Sequence, residues 1–406
     1  MNSKPSERRR FLKKGVVLAG AAMGAIQLGK GQTPGEETQE ARVRDRRYYG
    51  ERSRFEAMLR NPTHAPIGDF AGIITPSSLH FVNNHGYNPP DIDPRQHRLL
   101  IHGMVDRPLI FTVEELKRLP SVSRVHFMEC AGNTAEGRTE ETIQQTHGFM
   151  SCSEWTGVPL SLLLKEAGVQ QGAAWIVAEG ADAPKHSKSI PLDKAMEDVL
   201  VVYAQNGEAV RPEQGYPLRL LVPGFEGISN VKWLRRIKVA DEPSMARMES
   251  TMYIVHWPRL QGKVRWFNFE MGPKSVITRP AGGQKMPGRG FFEISGLAWS
   301  GGGSIRTVEV STDGGRSWKE AEIQQPVHRI AHTRFRFPWT WNGEEVVLKS
   351  RCEDDRGLVQ PSLDDISRMW GVQNDFWRTT KTRVNHFNPI WAWKVAPDGS
   401  VQNATL

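Results

Sequence analysis

The strongest chemical signal in this chain is Glu129-Cys130-Ala131-Gly132-Asn133, a cysteine followed by two of the smallest residues. A thiolate is a soft ligand suited to a thiophilic metal, and Ala131 and Gly132 leave room for a bulky planar group to approach the backbone beside it. Taken alone, a cysteine at a strand end is more often a small buried core residue. No Cys-x-x-Cys pair or His-rich spacing stands nearby to support zinc or iron-sulfur binding. The absence of Cys-x-x-Cys-His argues against a covalent c-type haem. A metal held at Cys130 must therefore bring most of its own ligands. The other cysteines, Cys152 and Cys352, are too few for a disulfide scaffold, and whether they pair is open.

The elements that must position Cys130 are legible around it. Residues 124–129 (RVHFME) read as a strand that delivers the cysteine at its end, and Leu99-Leu100-Ile101-His102-Gly103 as a strand entering a turn. Thr112 with Glu115 forms a capping box for a short helix ending at Pro120. Pro159, the leucines 160 and 162–164, and Gly168 predict a buried helix with proline near its first turn and glycine at its C-cap. From about residue 274 the pattern changes to alternating strands. Residues 304–311 and 317–323, joined by Asp313-Gly314-Gly315, carry a hairpin signature, and residues 345–352 form a further strand. The predicted class is α+β: a mixed α/β domain over residues 63–245, then an immunoglobulin-like β-sandwich over residues 270–397.

Composition agrees with a folded, turn-rich protein: 406 residues, 38% apolar and 24% charged, with 38 Gly and 26 Pro scattered along the chain. The N-terminus, Glu7-Arg8-Arg9-Arg10-Phe11-Leu12-Lys13-Lys14 before an apolar stretch from Val16 to Leu28, is a twin-arginine export signal over residues 1–32. That stretch is shorter than the roughly 20 residues that cross a bilayer, so a removable signal is expected and no stable membrane anchor. The expected location is the periplasm, reached already folded, which implies a bound cofactor. Residues 33–62 form a charged arm. Residues 1–32 hold seven Lys or Arg against one Glu, which is +6 of the formal +8, so the mature chain gives no argument for nucleic-acid binding.

Phe127-Met128-Glu129-Cys130-Ala131-Gly132-Asn133, Thr146-His147-Gly148, Ser153-Glu154-Trp155-Thr156-Gly157-Val158-Pro159, Gly215-Tyr216-Pro217-Leu218-Arg219 and Val231-Lys232-Trp233-Leu234 resemble the sulfite oxidase family of molybdenum-pterin enzymes. Gly296-Leu297-Ala298-Trp299-Ser300-Gly301 and Val310-Ser311-Thr312-Asp313-Gly314-Gly315 resemble that family's C-terminal dimerisation domain. The ordered blocks run from about residue 70 to 397. Residues 151–160, 211–217 and 274–280 look closest to the molybdenum subunit of the sulfur-oxidising (Sox) system, a sulfane or sulfite dehydrogenase.

The resemblance implies one molybdopterin whose molybdenum takes a single protein thiolate, Cys130, and oxygen-atom transfer to sulfur. It implies Arg219 and Lys232 as cations for the pterin phosphate. Phe81, Asn83, Asn84, His85, Asp182, Gln214, Asn230 and Val231 are implied as cofactor neighbours. Trp155 and Tyr253 match positions of an aromatic wall and a phenol at the substrate. With no haem motif in this chain, the expected electron acceptor is a separate c-type cytochrome. A sulfur-carrier protein is a further expected partner, and a homodimer through the C-terminal domain is expected. Asn83 and Thr134-Ala135 stand where sulfite oxidases place arginines, which weakens free sulfite as substrate and favours a carrier-bound sulfur group; Arg138 or Lys394 are the candidates to substitute. The alternatives are a related nitrate or sulfoxide reductase, against which the second β domain counts for the sulfoxide type, and a non-enzymatic exported immunoglobulin-like binding protein.

Overall fold

A computed structural model describes Met58, Arg60, residues 63–255 without Gly86, residues 266–380 without Asn268, and residues 386–406. The export signal and nearly all of the charged arm lie outside the described residues. The class is α+β.

The first half is built on two sheets. One runs in the order Leu109–Thr112, Arg98–Gly103, Leu234–Ala240, Trp175–Gly180, Ser187–Pro191, its second and third strands parallel in register Leu100 to Arg236. The other runs Val122–Glu129, Met150–Pro159, Leu200–Gln205, Glu208–Ala209, with Arg219–Leu221 also on Leu200–Gln205. The helix Val113–Arg118 starts on the complete Thr112/Glu115 capping box, and Leu160–Ala167 runs from Pro159 to Gly168 at φ 71°, the left-handed cap that glycine allows.

Alternation along Leu200–Gln205 explains the layering. Val201 joins the core of the first sheet and the helices, while Leu200 and Val202 join a larger core that continues through Trp299, Phe335 and Trp393 of the second half. The second sheet is thus apolar on both faces, and both halves share one core.

The second half is a sandwich of two antiparallel sheets. One comprises Lys274–Arg279, Gly290–Trp299, Thr333–Trp341 and Glu322–Ile323; the other comprises Lys319–Glu320, Ile305–Ser311, Val346–Asp354, Ala392–Val395 and Val401–Asn403, past residue 397. The expected hairpin is only partly local. Lys319–Glu320 pairs with Ile305–Ser311, but the chain then turns at buried Ala321 and Glu322–Ile323 joins the opposite sheet. The sandwich closes by that switch, which turn residues alone do not reveal.

Two buried histidines sit at the seam between the halves. The His126 ring lies 3.2 Å from the Ile330 carbonyl, and His332 stacks on Phe127 at 6.2 Å. Burial holds His126 down to about 4 and His332 to about 3, against 6.5 for a free imidazole. The unfolded chain therefore binds more protons than the native one below pH 6.5, so this stability is complete above 6.5 and is lost as pH falls toward 4 and 3. The thermal midpoint should climb from pH 4 to 6.5 and then level off, with a shallower climb in His126→Leu. An equal slope in that variant would remove the seam from the explanation.

Candidate active site

Cys130 is delivered by Val122–Glu129, in register with Met150–Pro159 through the pair Glu129 and Met150. Its amide donates to the Phe149 carbonyl at 2.9 Å, and its own carbonyl accepts from the Asn133 amide at 2.9 Å, closing a tight turn. The close approaches to this turn come from the protein itself. A Cβ on Gly132 would stand 2.7 Å from the Glu136 carboxyl, and one on Gly227 would stand 2.8 Å from the Glu129 carbonyl and 3.3 Å from the Cys130 Cα. Ala131 is buried, and at Gly132 the crowding comes from the far end of the exposed Glu136 side chain. Burial pushes the Cys130 thiol up to about 11, so a metal that takes the sulfur displaces a proton.

A cleft opens over this sulfur. Phe81, Asn83, Asn84, His85, Asp182, Gln214, Arg219, Asn230, Lys232 and Tyr253 all line it with Cys130. The Asn83 amide donates to the Cys130 sulfur at 3.5 Å. Lys232 Nζ donates to the Asn83 carbonyl at 3.2 Å, Asn84 Oδ1 at 2.6 Å and the Glu213 carbonyl at 2.8 Å. Gln214 spans the floor, its amide nitrogen on the Phe81 carbonyl at 2.7 Å and its amide oxygen receiving Arg219 Nη1 at 3.0 Å. Asn230 shapes the wall: its Oδ1 accepts the Val222 amide at 2.7 Å and its Nδ2 donates to the Glu226 carbonyl at 3.1 Å.

At the mouth, His85 adopts φ 52°, a left-handed conformation that histidine tolerates better than most residues, and its ring lies 3.4 Å from the Tyr253 hydroxyl. Tyr253 follows the π-helical turn Met248–Met252, anchored by buried Glu249, whose carboxylate accepts the Ser189 amide at 2.7 Å and hydroxyl at 2.8 Å. Burial raises the Asp182 carboxyl above the usual range, while its Oδ1 accepts the His186 amide at 2.9 Å.

Two expected residues lie elsewhere. Trp155 does not line the cleft: it is fully buried beneath Arg219, whose guanidinium sits 5.5 Å from its ring, and its indole donates to the His126 carbonyl at 3.3 Å. Its place is under the floor, which corrects the expected substrate wall. Val231 is a core side chain whose carbonyl accepts the Leu220 amide. Neither substitute cation reaches the cleft, since Arg138 donates to the Ala135, Trp377 and Thr380 carbonyls and Lys394 faces Glu345 at 3.9 Å. Thr134 and Ala135 are buried outside the lining. The open cysteine question is settled too: Cys152 and Cys352 are both free and buried. Lining residues missed from the sequence are Met128, His186, Gly227, Ile228 and Trp233. Met128 and Trp233 fall inside the quoted blocks, whereas His186 carries no local signal.

The electrostatics of the cleft ask for an anion. Burial lowers Arg219 to about 9 and pulls Lys232 well below the ordinary lysine range, aided by its proximity to Arg219. Among the described residues neither has an ion pair, and Arg219 Nε is buried without a hydrogen-bond acceptor. Two desolvated basic side chains with no direct ion pair suit the phosphate of a pterin cofactor. No group of three or more His, Cys, Asp or Glu among the described residues could hold a metal, so a metal at Cys130 would carry its remaining ligands with it.

Two family models match the chain, the oxidoreductase molybdopterin binding domain over residues 85–248 and the Mo-co oxidoreductase dimerisation domain over residues 265–385. Fold and cleft together define a molybdopterin oxidoreductase. The solved structure of the sulfane dehydrogenase SoxCD from Paracoccus pantotrophus matches with a TM-score of 0.81 and 36% identity, covering 93% of this chain and 96% of that one. Mouse mitochondrial sulfite oxidase is 30% identical, over 77% of this chain and 62% of its own length. The chain belongs to the sulfite oxidase family. The NADH nitrate reductase of Solanum lycopersicum is 31% identical, and the match spans 77% of this chain but only 39% of that protein.

Proposed function

We propose that this protein oxidises a sulfur group, either sulfite or sulfur bound to a carrier, and passes the electrons to a c-type cytochrome. The observation that carries the reading is one cleft that joins a lone thiol to two buried basic side chains that make no direct ion pair among the described residues. When bound, the molybdenum-pterin group supplies oxygen-atom transfer and a two-electron sink. Cys130 would be its protein thiolate, Arg219 and Lys232 would meet its phosphate, and Asn83 would hold the sulfur by its amide. Each oxygen gained by the substrate derives from water and leaves two protons and two electrons to be removed.

With Arg219 and Lys232 assigned to the phosphate, the mouth offers the Tyr253 hydroxyl, His85 and His186 to the substrate. That supports a larger, carrier-bound group over a small free dianion. The 36% identity to a sulfane dehydrogenase supports the same choice. Identity to nitrate reductases favours nitrate reduction as the second reading. Association as a homodimer through the second domain and folded export to the periplasm complete the proposal. Among the described residues no helix is long and apolar enough to cross a membrane.

The test is a substrate panel on matured protein: sulfite and persulfidated carrier peptides with cytochrome c reduction, and nitrate with a reduced viologen. Molybdenum near one per chain and cytochrome reduction with the peptides are expected. Nitrate turnover without sulfur oxidation would move the assignment to the reductase, and a matured sample without molybdenum would end both.

A further inference from the structure

Behind the Cys130 turn lies a buried polar hub that cofactor binding leaves unused. The Glu129 carboxylate, 1% exposed, receives Asn133 Nδ2 at 2.8 Å and Lys274 Nζ at 2.7 Å on one oxygen and Trp299 Nε1 at 2.7 Å on the other. Lys274, itself 1% exposed, also donates to the Thr134 hydroxyl. The hub therefore grips the turn on both sides of the cysteine, at Glu129 before it and at Asn133 and Thr134 after it.

Both outside donors come from the second half of the protein. Lys274 and Trp299 lie directly opposite each other in the antiparallel pair of Lys274–Arg279 and Gly290–Trp299, so their side chains share a face, with the ammonium 5.7 Å from the indole ring. Holding two halves together does not require this arrangement. Burying an ion pair costs desolvation that its attraction only partly returns, and well-packed apolar residues often hold an interface as well or better. Apolar contacts, however, are non-directional, whereas three hydrogen bonds to one carboxylate fix the orientation of the backbone that carries it.

We propose that Glu129, clamped by Lys274 and Trp299, is the positioning residue of the Cys130 sulfur, so that the second domain sets the geometry of the metal ligand in the first. The proposal rests on Cys130 being that ligand.

The test uses the full-length, metal-loaded enzyme with Trp299→Phe, which deletes one N–H and keeps the ring, and with Lys274→Met and Lys274→Arg. Supporting residues around a metal ligand typically contribute 10–100-fold, so Trp299→Phe is expected to lower kcat about tenfold with KM unchanged. Molybdenum should remain near one per chain, while the electron paramagnetic resonance g-values of the singly reduced metal shift. Lys274→Met should shift them further and Lys274→Arg bring them back. Wild-type g-values and kcat in Trp299→Phe and Lys274→Met at full loading would overturn the proposal. So would variants that lose only thermal stability while their loaded fraction stays spectroscopically wild type. Cys130→Ser separates the two ideas: wild-type loading and signal in that variant would sink the ligand assignment beneath the clamp.

Discussion

Cys130→Ser is expected to fold, since serine conserves volume and the turn is held by backbone bonds to Phe149 and Asn133. Its turnover should nonetheless fall by more than about 100-fold, beyond the 10–100-fold typical of a supporting residue, because a hard hydroxyl replaces the soft ligand. The thermal midpoint of the cofactor-free variant should stay close to that of the cofactor-free parent. The measurement is turnover beside molybdenum content. A variant with full activity would refute the assignment, and one that fails to fold would return the cysteine to the core role that a strand-end thiol more often plays.

Arg219→Met should act with opposite consequences in the loaded and cofactor-free protein. With cofactor, the variant loses charge-assisted hydrogen bonds worth about 1.5–3 kcal/mol each, so retention of the pterin should weaken by roughly 10- to 150-fold per bond. Without cofactor, the arginine is a buried cation lowered to about 9 with no ion pair, and exchanging it for an apolar chain of similar length over Trp155 should leave the thermal midpoint unchanged or higher. Gln214 loses its partner and moderates that gain. Equal destabilisation of both forms would make Arg219 a structural residue and leave the phosphate to Lys232.

The elements that carry Cys130 were legible because their signals are local. The Thr112/Glu115 capping box, the Pro159 to Gly168 helix and the strand ending at Glu129 are written within a few residues of each other, and the folded chain places them where the pattern puts them. Of the residues that the resemblance implies as cofactor neighbours, all but Val231 line one cleft. Trp155 shows the limit. Its type suited an aromatic wall, but only the packing of its strand against the second half decides that its indole lies beneath Arg219. His186 entered unannounced because it reaches the cleft through a loop whose shape depends on Asp182 and on the Ile228 carbonyl 3.1 Å from its ring.

The sequence by itself determined a strand-end cysteine with no second metal-ligating partner nearby and the α+β order of elements. Tertiary structure decided what surrounds the sulfur: which cations face it, that Asn83 donates to it, and that Glu129 is gripped from 145 residues away. The physical reason is range. Caps, turns and periodicity act between near neighbours and can be read along the chain. The partner of a buried charge is set by strand register and by how two sheets close on one core, and neither is written beside the residue it fixes.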